Sequence, residues 1–124
     1  MLVMIGTDDQ TTPVTPNLTR IWDLVTSDLL VRVELVGGQH QSFTDVCDYQ
    51  TFLPTLGDAV PEAVADTIDS QAVEGCLPDQ MPIERAKELT TTFAINFLDS
   101  IFRDATLISD ENTALPADII YMAR

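Results

Sequence analysis

The chain has one histidine, His40, and only two cysteines, Cys47 and Cys76, with no C-x-x-C spacing. That scarcity gives little support to zinc held by a Cys/His cluster. It leaves two states for the cysteines: a pair of buried thiols, or one disulfide stapling the loop-rich segment between them. A disulfide implies an exported protein. Basic residues are also scarce, since six Lys and Arg stand against twenty Asp and Glu for a net charge of −14. A surface of that sign repels phosphate backbones and anionic headgroups, which argues against nucleic-acid and membrane-surface partners. No apolar run reaches the roughly 18 residues of a membrane span. The short apolar stretch at the amino terminus has no basic region before it, so an exported protein would need its signal upstream of Met1. Aromatic residues make up only 6%, yet hydrophobic residues reach 45% of 124 positions, enough for the core of one domain. Neither internal repeats nor low-complexity segments occur.

What is present reads as an α/β pattern. Met1-Leu2-Val3-Met4-Ile5 is apolar at every position, as a strand covered on both faces requires, and stops at Gly6. Thr7 to Pro13 is a polar turn containing Asp8 and Asp9. Pro13 and Pro16 delay helix to about residue 16, after which Leu18, Ile21, Trp22 and Val25 repeat at helical steps. Leu30 to Val36 forms a second strand, alternating Val31, Val33 and Leu35 against Arg32, Glu34 and Val36, the habit of a strand near a sheet edge. It stops at Gly37-Gly38, just before His40. A helix between parallel strands returns the chain to its start, so both turns fall on one edge of the sheet, where ligands and catalytic groups collect. Asp9 and His40 are therefore expected to face each other there.

The remainder is mainly helical. Ser42 is placed to cap a short helix with Phe43, Val46 and Cys47 inward. Residues 53–61 hold Pro54, Gly57 and Pro61 and read as loop. Pro61 opens a helix with Val60, Val64, Ile68 and Ala72 four apart, closed by Gly75. The longest helix runs from about Pro82 to Phe102, with Ala86, Leu89, Phe93, Phe97 and Ile101 in one row, and Ile83, Ala94, Leu98 and Phe102 broadening it. Such a stripe suits the face of a sheet, and its phenylalanines read as core rather than as a cofactor box. In the tail, 103–124, Asp110-Glu111-Asn112 reads as a turn, and residues 117–122 as a small terminal strand or helix.

Two stretches carry a family resemblance. Gly6-Thr7-Asp8-Asp9-Gln10-Thr11-Thr12-Pro13 resembles the acid turn of α/β-hydrolases, with glycine, aspartate three on and proline four further. Gly37-Gly38-Gln39-His40-Gln41-Ser42-Phe43-Thr44-Asp45 resembles the histidine turn of bacterial esterases related to dienelactone hydrolases and platelet-activating-factor acetylhydrolases. The acid-before-histidine order agrees with that fold. The resemblance covers residues 1–102. It implies the last two parallel strands of an α/β-hydrolase, the helix between them, a helical excursion and the long closing helix. It further implies that Asp9 is the triad acid and His40 the base of a serine ester hydrolase, with an ester substrate and no cofactor. Asp8 is expected to cap or solvate the turn. A divalent ion on Asp8, Asp9 and His40 is the lesser alternative.

The nucleophile is missing. An elbow requires Gly-x-Ser-x-Gly between strand and helix. The glycines stand at 6, 37, 38, 57 and 75, none four apart, and Ser27, Ser42, Ser70, Ser100 and Ser109 all lack that context. The expectation is a carboxyl-terminal portion of a hydrolase, inactive alone, that self-associates or is complemented by the missing amino-terminal half. The rival expectation is a non-catalytic binding or self-associating module derived from such an end-piece.

Overall fold

The computed structural model describes residues 1–109 and 112–124; Asp110 and Glu111, which begin the expected tail turn, lie outside them. Its centre is a three-stranded mixed sheet in the order β1 (Leu2–Gly6), β2 (Val31–Leu35), β3 (Ile119–Ala123). β1 and β2 are parallel, with Leu2 opposite Val31 and Gly6 opposite Leu35. The chain crosses between them through α1 (Val14–Leu24). Thr15 is extended, so regular helix begins after it, with Pro16 in the first turn.

β2 is the central strand, not one near the edge, because β3 closes its other side antiparallel. Its alternation has another cause. Arg32 and Glu34 pair with each other on the face opposite the core, the Arg32 Nε–H donating to Glu34 Oε1 at 2.8 Å, and so satisfy polar groups on a covered strand. The tail segment, expected as a strand or a helix, is a strand and is flanked by contacts distant in sequence. The Arg85 guanidinium donates twice to the Asp118 carboxylate, at 2.7 and 2.9 Å, just before β3 begins. At its far end Arg124 lies over the Trp22 ring, 4.8 Å from the centroid, and donates to the Trp22 and Val25 carbonyls.

The core lies between one face of this sheet and α4 (Ile83–Phe102). Val31, Val33, Leu35 and Ile119 meet Ala86, Leu89, Phe93 and Phe97, with Met81 at the helix entrance. The other face is covered near β1 by Leu18 of α1, which is fully buried. The expected row on α4 holds only to Phe97, because Leu98, Ile101 and Phe102 are exposed. A helix of 20 residues is about 30 Å long, whereas a five-residue strand covers about 17 Å, so the last turns overrun the sheet.

The excursion between β2 and α4 comprises a 3-10 turn (His40–Phe43), α2 (Val46–Phe52), a second 3-10 segment (Leu53–Ala59) and α3 (Glu62–Ala72). Thus 53–59 is not plain loop but short 3-10 turns interrupted at Gly57, whose φ is +55°. Ser42 does not cap α2. It is the third residue of the 3-10 turn, and the Thr44 hydroxyl accepts the Val46 N–H instead, at 3.3 Å. Cys47 and Cys76 form a disulfide, Cα to Cα 5.5 Å, joining α2 to the chain beyond α3.

Candidate acid–base site

Because Gly6 lies opposite Leu35 in the parallel register, β1 and β2 end together and their turns leave the sheet side by side. Three hydrogen bonds lace those turns. The Thr7 N–H donates to the Leu35 carbonyl at 2.9 Å and the Asp8 N–H to the Gly38 carbonyl at 3.0 Å. The Gly37 N–H donates to the Thr7 hydroxyl at 2.9 Å. Gly37 opens the second turn at φ +78°, a conformation suited to glycine.

The two aspartates part company in the first turn. Asp8 is exposed, its carboxylate accepting from the Thr7 hydroxyl at 2.9 Å. Asp9 turns inward and is 4% exposed. His40 begins the 3-10 turn that follows Gly37-Gly38. That turn is fixed by the Gln39 N–H donating to the buried Ser42 hydroxyl at 2.8 Å and the Ser42 N–H to the Gln39 carbonyl at 3.2 Å.

Asp9 and His40 meet as the order of elements predicts, with Asp9 Oδ2 3.0 Å from His40 Nδ1. Thr12 completes the arrangement. Its N–H donates to Asp9 Oδ1 at 2.6 Å and its hydroxyl to Asp9 Oδ2 at 2.6 Å. The same hydroxyl oxygen lies 3.3 Å from His40 Nδ1. Burial works to raise the Asp9 pKa, but the Thr12 hydroxyl, the Thr12 amide and His40 together outweigh it and hold the carboxyl below its ordinary value. Asp9 is therefore an ionised acceptor at neutral pH.

The tautomer follows from this network. An ionised carboxylate only accepts, and the Thr12 hydroxyl proton is directed at Asp9. Both neighbours thus face Nδ1 as acceptors, so the neutral form of the ring carries its proton on Nδ1 and its lone pair on Nε2. Among the described residues Nε2 has no hydrogen-bond partner. The ring is about one-third exposed. It borders a cleft of about 540 Å³ whose apolar wall includes Val3, Ile5, Leu18, Ile21 and Phe43. A buried carboxylate, an imidazole oriented by it and an open ring nitrogen beside a cleft form an arrangement chemically able to accept a proton from a group brought to Nε2. A second cavity, about 260 Å³ between Leu53-Pro54 and Val60-Ile68, is lined by no histidine, hydroxyl or thiol.

Ser42, the one serine on these turns, is buried against Gln39 and offers Nε2 nothing. No group of three or more His, Cys, Asp or Glu side chains comes together among the described residues, and Asp8 stands apart from the pair. Thr12 was not singled out by sequence. Its one signal is the Asp-x-x-Thr spacing, with which a carboxylate reaches an amide three residues on, as at helix caps. No protein-family model, curated protein or solved structure matches this chain.

Proposed function

We propose that this chain carries the acid and base of a serine ester hydrolase of the α/β-hydrolase type, the nucleophile being supplied from outside it. The carrying observation is the 3.0 Å contact between buried Asp9 and His40 Nδ1 at the ends of adjacent parallel strands. In the complete site, His40 Nε2 takes the proton of a serine hydroxyl as that oxygen attacks the acyl carbon. Asp9 orients the ring and stabilises the imidazolium, and His40 then returns the proton to the departing alcohol. A carboxylic ester fits a cleft with an apolar wall and no cationic side chain in its lining.

The chain alone, lacking serine elbow and oxyanion donors, is expected not to turn over a small chromogenic ester. Adding a polypeptide with a strand–Gly-x-Ser-x-Gly–helix unit is expected to give turnover that His40→Ala abolishes. Turnover by the chain alone, lost in His40→Ala, would overturn the assignment of the nucleophile elsewhere.

A second reading, a non-catalytic self-associating module, is favoured by two surfaces. Among the described residues no strand pairs with the outer edge of β1, and Leu98, Ile101 and Phe102 stand exposed on α4. Open edges and apolar patches recruit copies or partners. Sedimentation as a monomer across the micromolar range would remove this reading.

A further inference from the structure

The two turns of the site are held by a third segment, Glu74-Gly75-Cys76, which lies beyond α3. The Glu74 carboxylate accepts from the Thr11 hydroxyl at 2.8 Å, two residues from Asp9. The Glu74 carbonyl accepts from the Gln41 N–H at 2.7 Å, the residue after His40. One residue therefore grips both turns, through its side chain on one side and its backbone on the other. Gly75 is buried against the same peptide: a Cβ there would lie 3.0 Å from the Gln41 carbonyl carbon and 3.1 Å from the Ser42 nitrogen. Cys76 is then bonded to Cys47 in α2, which begins three residues after the 3-10 turn of His40. The histidine turn thus lies just outside the disulfide loop, leading into it at α2 and hydrogen-bonded to its far end at Glu74.

We propose that Glu74 is a positioning residue for the Asp9–His40 pair, tethered in place by the Cys47–Cys76 disulfide. This rests on the reading of that pair given above. Glu74 touches neither side chain; it acts by keeping the two turns at the separation that lets Nδ1–H reach Asp9. The strand ends stay joined through Thr7, Asp8 and Gly37. Loss of either grip therefore loosens the turns only beyond that point, where they carry Asp9 and His40, and the ring's preference for the Nδ1–H tautomer weakens while the fold persists. Reduction has the same sense. A dithiol reductant breaks the S–S bond, giving two cysteine thiols and a cyclic disulfide, and detaches the segment from α2.

His40 is the only histidine, so its ring nitrogens give unambiguous signals in a uniformly ¹⁵N-labelled protein. The measurement is the ratio of Nδ1–H to Nε2–H tautomers at a pH where the ring is neutral. Glu74→Ala is expected to lower that ratio about fivefold, the worth of one hydrogen bond. Glu74→Gln, which keeps an acceptor for Thr11, should restore it. Thr11→Ala, at an exposed position, removes the same grip from the other side and serves if Glu74→Ala does not fold. Oxidised wild type treated with a dithiol should move in the same direction. Asp9→Asn is the reference. A ratio unchanged in both Glu74→Ala and Thr11→Ala, while Asp9→Asn shifts it, would overturn the role of Glu74 and leave the pair intact. A ratio unmoved by Asp9→Asn would overturn the pair itself. A reduced protein indistinguishable from the oxidised one would overturn the tether.

Discussion

Gly6 and Gly38 are in backbone contact: a Cβ built on Gly6 would stand 2.2 Å from the Gly38 carbonyl oxygen. The obstruction is backbone, so no rotamer change relieves it, and the turns carrying Asp9 and His40 owe their closeness to a missing methyl group. Gly6→Ala is expected to destabilise the protein by about 1–3 kcal/mol, as overpacking does. It should also widen the Asp9–His40 contact. Urea unfolding gives the first quantity, and loss of the Nδ1–H resonance of His40 reports the second. A variant with wild-type stability and that resonance intact would refute the interlock.

Thr12→Val keeps the shape of the side chain and removes its hydroxyl. Asp9 then loses one of the donors that hold its carboxyl down, so its pKa is expected to rise, with a stability loss of about 1.5–3 kcal/mol at neutral pH for a hydrogen bond to a charged group. Thr12→Ser should restore both. Carboxyl carbon shifts of Asp9 through an acid titration follow the first, and chemical denaturation the second.

Stability should depend on pH through Asp9. Its folded-state pKa is depressed, so the stability it contributes is present above the unfolded carboxyl pKa of about 3.9 and is lost as pH falls through the folded value. Wild type and Asp9→Asn, unfolded in denaturant at steps from neutral pH to about pH 2, should therefore differ most near neutrality and converge in acid. A constant difference across that range would remove Asp9 from the acid response.

Removing the disulfide lengthens what the unfolded chain can explore. For a separation of 29 residues, chain entropy predicts a loss of about 3–4 kcal/mol. Cys47→Ser/Cys76→Ser should accordingly unfold at lower denaturant, with the excursion between β2 and α4 losing amide protection before the sheet. Equal protection loss in both regions would show that the staple acts on the whole domain.

The strands β1 and β2 and the pair they carry were legible because the signals are local. An all-apolar pentad ending in Gly6, and an alternating run ending in Gly37-Gly38, each announce strand and turn without reference to the rest of the chain. Parallel connection through a helix then brings Asp9 and His40 to one edge as a consequence of topology. The exposed end of α4 was not legible. Periodicity states which side chains share a face but carries no measure of how far the facing sheet extends.

Sequence by itself determined the acidic charge, the strand–helix–strand unit and the placing of an aspartate turn beside the single histidine, whereas the contact with His40 singles out Asp9 from Asp8. Tertiary structure alone decided that β2 is central, since the segment Ile119–Ala123, flanked by the Arg85–Asp118 pair and by Arg124 over Trp22, pairs antiparallel with its other side. It also decided that Thr12 and Glu74 belong with the pair. Local patterns record the conformation of a few neighbouring residues, whereas a hydrogen bond such as Gln41 to Glu74 exists only after distant segments have folded into register.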